Sequence, residues 1–441
     1  MLLDKEKLFF VVKNRKMKRS IQITLTMAVF AMTSFNVKAQ TYSEKTIDMK
    51  PGYSDQVYYS MENGEAGRSS VYNWDIAFTT NLRDNGVRAN HVNGIQVYAY
   101  PNGDITSWST FDTAGWASFP EFHNSTSNLD KGAFNLTANP SNGFDFSWGV
   151  YNVNTHTVTG DSLYLLTFRD QTQMITSMKK FWLVKQTSAN GNLTLRMADL
   201  DGSNDTTFEI TNVGADYNFT YYNLRSMSTV NREPVKSTWD ITFTRWMQYL
   251  GPRSPIPYYP STGVHSNYNT LVAKNNTLPY DEINPWNERA NAMKKHDMIG
   301  VNWKWNDRGT TYLEDSLTYT VFSDSLSNMG YPMYFTSYEG SSTGIIKFNQ
   351  ASINLGIKDL NENTILLYPN PVNGNSTISI ELEGNLNSGT IELVNSNGQV
   401  LITKEILHSK ESLKLNSIPS GLYIVKINSN NKVSTTKLLI N

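Results

Sequence analysis

Two octets 165 positions apart carry nearly the same message: Asn73–Thr80 reads NWDIAFTT and Thr238–Arg245 reads TWDITFTR. In the first, Trp74, Ile76 and Phe78 alternate with Asp75, Ala77 and Thr79; in the second, Trp239, Ile241 and Phe243 alternate with Asp240, Thr242 and Thr244. Period-two alternation turns one set of side chains to each face of an extended chain, so both octets predict half-buried strands led by a tryptophan. Other words recur in the same order. QVYYSM (Gln56–Met61) precedes the first octet as FTYYNL (Phe219–Leu224) precedes the second, and DSLYLLTF (Asp161–Phe168) is answered by DSLTYTVF (Asp315–Phe322). Ordered repetition of this kind is an internal duplication. It assigns one repeat to 41–213 and a second to 214–355, either as two domains or as halves of one larger β body. The fold class expected is all-β.

With 441 residues and 39% hydrophobic content, the chain exceeds one ordinary domain and can bury several cores. Its 38 Lys and Arg against 39 Asp and Glu leave no basic field, which argues against a nucleic-acid partner. No cysteine is present, excluding disulfides, thiolate metal sites, cysteine nucleophiles and a lipid anchor on cysteine. At the N-terminus, Lys18 and Arg19 lead into the apolar run Ile21–Phe35 and the small-residue site Val37-Lys38-Ala39. This pattern predicts a signal peptide over 1–39, with Met17 an alternative start. The run of about 15 residues is shorter than the roughly 20 that span a bilayer.

Residues past 355 change character. After a linker at 356–365, Ile378, Ile380 and Leu382 alternate with Ser379, Glu381 and Glu383. Asn397-Gly398 supplies a turn pairing Ile391–Val394 with Val400–Thr403, and Leu413, Leu415, Tyr423, Val425 and Ile427 continue the pattern. Short strands at this spacing predict a small β-sandwich of immunoglobulin-like form. LLYPNPVNGNSTISIEL, IELVNSNGQVL, LNSIPSGLYIVKI and the terminal TTKLLIN together resemble the type A C-terminal sorting domain of type IX secretion cargo in Bacteroidetes, over 366–441. The resemblance implies passage through the periplasm, recognition of the folded sandwich by the outer-membrane translocon, and a secreted or cell-surface product.

The duplicated body, carrying WDIAF at Trp74–Phe78 and WDITF at Trp239–Phe243 and the paired words SLYLLTFRD and KKFWLVKQ, resembles the HmuY-like family of haem-binding proteins. That resemblance implies haem or a related porphyrin held by axial His or Met side chains. His123 in PEFHNST and His156 in NVNTHTVTG occur in the first repeat only, and residues present in one copy are the better ligand candidates. They are the expected axial pair, in a cleft lined by Trp116, Phe119 and Phe122; beyond haem iron, no metal is expected. Residues shared by both copies are better explained by fold, so Asp75 and Asp240 are expected to cap turn amides. Ten tryptophans and an aromatic content of 12% also suit a surface that stacks on glycans, WSTFDTAGWASFPEF (Trp108–Phe122) being the densest stretch.

Catalytic signals are poor. GSSTG (Gly340–Gly344) satisfies Gly-x-Ser-x-Gly around Ser342, but strand-like IIKFNQ follows where a nucleophile elbow needs a helix. DLDGSND (Asp199–Asp205) lacks the glycine offset and closing glutamate of a calcium loop. Asp-Ser-Leu at Asp161, Asp315 and Asp324 matches a short O-glycosylation pattern of Bacteroidetes and also suits strand starts. The expectation is a non-enzymatic binding protein, with haem or a glycan as ligand.

Overall fold

The computed structural model describes residues 41–324, 326–354, 365–382, 389–429 and 432–441; the expected signal peptide and the expected linker at 356–365, except Ile365, which begins a strand, lie outside the described residues. Strands dominate the regular structure of the described residues, with short 3-10 turns between them and a single α-helical turn at Pro285–Arg289. Among the described residues no sheet closes into a barrel.

The body consists of two modules of the same plan, each with a four-stranded sheet and a larger one. In the first module, Ile76–Thr79 lies between Val87–Ala89 and Phe219–Asn223, with Ile76, Ala77 and Phe78 opposite Tyr222, Tyr221 and Thr220. In the second, Ile241–Tyr249 lies between Tyr258–Ser266 and Asp55–Ser60, with Ile241, Thr242 and Phe243 opposite Tyr59, Tyr58 and Val57. The registers coincide residue for residue. Each octet, however, pairs with the Tyr-Tyr word that belongs to the other repeat.

The larger sheets repeat this exchange. Leu163–Arg169 runs between Ile95–Ala99 and Ile175–Thr187, followed by Leu193–Asp199 and then by Thr206–Ile210. Its counterpart, Thr318–Phe322, runs between Leu271–Asn275 and Met329–Tyr338, followed by Ile345–Gln350 and then by Ser43–Asp48. On the core faces Phe168 sits opposite Ile95 as Val321 sits opposite Val272, and in the same register Met197 faces Thr206 as Phe348 faces Lys45. By register Thr206–Ile210 is the equivalent of Ser43–Asp48, although it lies before position 213. These two strands share no word that a sequence comparison could match.

Packing follows the exchange. The first core gathers Ile76, Phe78, Trp148, Tyr164, Leu166, Phe181 and Leu195 together with Ile210, Tyr222 and Leu224. The second gathers Ile241, Phe243, Val264, Trp303, Tyr319, Met333 and Phe348 together with Ile47, Val57, Tyr59 and Met61. Those last four side chains are at most 4% exposed. Full burial of an apolar side chain stabilises by roughly 1.5–3 kcal/mol, so these four alone contribute roughly 6–12 kcal/mol across the repeats, an upper estimate.

The tryptophans of the octets do not continue the Ile–Phe face. Strand pairing begins at Ile76 and Ile241, and the preceding Asp turns the chain, so Trp74 and Trp239 lie against the opposite face. Trp74 meets Tyr221 edge-on at 5.2 Å, and Trp239 meets Tyr58 edge-on at 5.0 Å. The environments match, but they are the seam between modules rather than either module's core. The sheets of the octets turn this face toward each other there, which brings Tyr58 and Tyr221 together.

The C-terminal region is a separate sandwich. A three-stranded sheet of Ile365–Tyr368, Thr377–Leu382 and Lys410–Lys414 packs on a four-stranded sheet of Val400–Ile406, Gly389–Val394, Gly421–Ser429 and Lys432–Ile440. Ile378, Ile380, Ile391, Leu393, Leu415, Val425 and Ile427 are all 0% exposed, as alternation requires. In the turn, the Asn395 amide donates to Gln399 O at 3.0 Å, and Gly398 adopts φ +78°, which glycine accepts without a Cβ clash.

Candidate functional site

The two octet aspartates anchor the exchanged strands. Asp75 is fully buried; its Oδ2 accepts the amides of Leu224 at 2.8 Å and Arg225 at 3.2 Å, while Oδ1 accepts Asn93 Nδ2 at 2.9 Å and pairs with the Arg225 guanidinium. Burial pushes its carboxyl up, and Arg225 with these donors pulls the other way. Asp240 Oδ2 accepts the amide of Met61, the register equivalent of Leu224, at 2.7 Å. One asparagine completes each bracket: Asn90 Nδ2 donates to Val71 O and Trp74 O at 2.8 and 2.9 Å, and Asn267 Nδ2 donates to Lys236 O and Trp239 O at 2.7 and 2.8 Å. These polar groups hold the fold, and they are saturated by it.

His123 and His156 lie in unlike places. His123 is buried just after the short strand Glu121–Phe122, stacked on Tyr258 with ring centroids 3.5 Å apart and on His91 at 4.9 Å. Its Nε2 lies 3.5 Å from Glu121 Oε1, and its Nδ1 has no partner. Burial, with His91 adding to it, pushes its pKa down to about 3. His156 sits exposed in the turn between Gly149–Asn152 and Thr157–Gly160, at φ +53°, with Nδ1 2.9 Å from the Tyr151 hydroxyl. Two axial ligands must face one iron from opposite sides. The described contacts give these imidazoles no common neighbour, and as placed they do not fit such a pair. No group of three or more His, Asp or Glu among the described residues is arranged to hold a metal ion.

The neutral state of His123 makes a measurable prediction. The unfolded chain takes up this proton near the ordinary histidine pKa of 6.5, whereas the folded chain resists it down to about 3. Stability from this group is therefore complete above pH 6.5 and declines as pH falls toward 3. Glu233, pushed up to about 7 by burial, acts oppositely between 4.5 and 7, so comparison with a variant is needed. Urea midpoints for wild type and His123→Asn should differ by a constant at pH 7–8 and converge as pH drops from 6.5 to 4.

Phe122 belongs to the first module's core, while Trp108, Phe111 and Phe119 pack with Tyr98, Tyr100, Leu163 and Leu165 in a second layer on the other face of the same sheet, with Trp116 against it. Trp108 lies between the Lys180 and Arg196 cations and donates from Nε1 to Asp205 Oδ2 at 3.0 Å. The densest aromatic stretch is thus mostly sheet cover. Ser342 lies in the turn joining the antiparallel strands Met329–Tyr338 and Ile345–Gln350. The acidic loop is internally consumed: Asp199 pairs with Lys179, and Asp205 pairs with Arg196 at 2.7 Å.

A cleft of about 510 Å³ opens elsewhere, between the end of strand Ile76–Thr79 and the segment following Tyr258–Ser266. Its walls include the half-buried rings of Tyr217 and Tyr268, and Asn81, Asp84, Lys236 and Asn269. Its floor is rigid, because Asn218 Nδ2 donates to Asn267 Oδ1 at 2.9 Å and to Glu233 Oε1 at 2.7 Å. Neither histidine lines this cleft, nor does any methionine. Sequence reasoning missed these residues, because an Asn or Tyr in a loop carries no periodic signal.

Residues 366–441 match the family described as "Secretion system C-terminal sorting domain". No curated protein matches the chain. Among solved structures, PorZ, an essential bacterial surface component of the type IX secretion system of Porphyromonas gingivalis, aligns at 11% identity over 57% of this chain and 43% of its own, with a TM-score of 0.16. Dimeric latent PorU from the same organism aligns at 11% identity over 65% of this chain and 31% of its own, with a TM-score of 0.15. The BSP domain of a biofilm-associated protein aligns at 9% identity over 92% and 82%, with a TM-score of 0.16. The alignments span less than half of the PorZ and PorU chains, and at such scores none of the three bears on the fold or role of the body. No helix among the described residues is long and apolar enough to cross a membrane. The terminal sandwich is a type IX sorting domain, which implies recognition by the secretion machinery and makes this a secreted or cell-surface protein.

Proposed function

We propose that the exported body is a non-enzymatic binding protein whose ligand is a saccharide held in the cleft between Tyr217 and Tyr268. One observation carries this reading: an opening of about 510 Å³ walled by two tyrosine rings and by amide, carboxylate and ammonium groups. That volume lies in the range of small-molecule sites, of order 300–1,000 Å³. Half-exposed rings offer flat apolar faces to a pyranose, while Asn81, Asp84 and Asn269 supply the paired donors and acceptors that hydroxyls require. A glycan array probed with the chain lacking residues 1–39 should give a restricted set of positives. Tyr217→Ala and Asn269→Ala should each weaken them about tenfold, the ~1.4 kcal/mol scale of one ring or amide contact. An empty array, or unaltered binding by both variants, removes the proposal.

The haem reading suggested by the HmuY-like resemblance keeps one supporting observation, the neutral His123 imidazole with a free Nδ1. Its access is closed by the Tyr258 ring. Haemin titration decides it: a Soret shift that saturates and is lost in the His123→Ala/His156→Ala double variant supports haem, and a shift that is absent or indifferent to that variant eliminates it.

A further inference from the structure

The seam between the modules holds a second, smaller cavity of about 100 Å³, distinct from the cleft. Three guanidinium groups line it, Arg88, Arg232 and Arg245. Each is bonded to neutral oxygens. Arg88 donates to Leu129 O at 2.9 Å and Ser125 O at 3.0 Å; Arg232 donates to Gln56 Oε1 at 3.2 Å and Asn73 Oδ1 at 3.1 Å; Arg245 donates to Gly52 O at 3.2 Å and the Tyr72 hydroxyl at 3.1 Å. Among the described residues, none of the three forms an ion pair within 4.0 Å of a carboxylate. Glu233 also lines the wall, but its carboxylate is occupied by Asn218 Nδ2 at 2.7 Å and the Phe219 amide at 3.1 Å. Arg88 and Arg232 are buried, Asp130 acts on Arg88 without pairing to it, and burying cations with no ion-pair partner is costly unless negative charge arrives from outside.

Independent of the charge, the same cavity gathers buried groups with nothing to bond. Trp239 Nε1, His265 Nε2 and Arg245 Nε all lack a partner, and Trp239 and His265 are each 5% exposed. Indole and guanidinium N–H groups can only donate, and the neutral imidazole can donate from one nitrogen. Such a set lacks acceptors, and a buried donor without an acceptor is destabilising. Arg245 and Met247 are half-exposed, so the wall reaches the surface beside them.

We propose that this seam cavity binds a small oxyanion group, a carboxylate or sulfate, with Arg245, Trp239 and His265 donating to it. A volume of about 100 Å³ accepts roughly three waters' worth of matter, enough for one such group and too little for a sugar ring beside it. The group is therefore either a free inorganic anion or the acidic substituent of a saccharide whose ring stays outside. The inference does not depend on the Tyr217–Tyr268 cleft.

The test is calorimetric titration of the chain lacking residues 1–39 with sodium sulfate, sodium acetate and glucuronate at constant ionic strength set by chloride, with thermal shift in parallel. Saturable binding of at least one probe is expected, weakened at least tenfold in Arg245→Gln and in Trp239→Phe, which keeps the ring and removes the orphan donor. Glucuronate at least tenfold tighter than acetate identifies an acidic saccharide as the source; equal affinities identify a free anion. Circular dichroism of both variants checks folding, and should one misfold, the other carries the test. No heat or shift beyond the chloride control for any probe, or binding unchanged in the folded variants, overturns the proposal.

Discussion

Asp75→Ala is expected to lower the unfolding free energy by about 2–4 kcal/mol, because a fully buried acceptor of two backbone amides is removed while its Arg225 partner stays partly exposed to water. The side chain is fully buried and serves two backbone amides, Asn93 and the Arg225 guanidinium. Truncation leaves the Leu224 amide without an acceptor and the arginine without its counter-charge. Asp240→Ala removes the acceptor of the Met61 amide but no cation, so a smaller loss of about 1–3 kcal/mol is expected. Denaturant unfolding of both variants measures the difference. Equal losses, or a loss below about 1 kcal/mol for Asp75→Ala, would contradict the assignment of this carboxylate as the anchor of the exchanged strand.

Much of this architecture was legible because period-two alternation exposes buried faces. Ile378, Ile380 and Leu382 announced a strand, and Ile76 and Phe78 announced another, and all five are buried. The octet aspartates were readable as turn anchors from their recurrence. Pairing across the repeats was not readable, for a physical reason. QVYYSM and FTYYNL present equivalent faces at equivalent registers, so either could complete either octet, and alternation is blind to which one does. Only the geometry of the connecting loops decides it.

The same blindness hid the seam. Arg88 and His265 hold equivalent positions opposite Ala77 and Thr242, on faces that alternation assigns to solvent. Packing of the two modules buries them instead. The histidines were selected by residue type and by occurrence in one repeat, a criterion with no information on direction, and it gathered one stacked imidazole and one exposed one. The cleft residues were missed because Asn218, Asn267 and Asn269 act through loop geometry, which leaves no period in sequence.

The central claim is that each module is completed by strands of the other repeat. The exposed turn at Asp201–Ser203, in the hairpin between Leu193–Asp199 and Thr206–Ile210, separates the repeats in strand terms. A protease site introduced there cuts the chain into an N-terminal piece holding Ser43–Asp48 and Asp55–Ser60 and a C-terminal piece holding Thr206–Ile210 and Phe219–Asn223. The exchange predicts that the cleaved pieces elute as one species of undiminished mass in size exclusion with light scattering, and separate only when denaturant unfolds both. Release of two independently folded monomers under native conditions would contradict it.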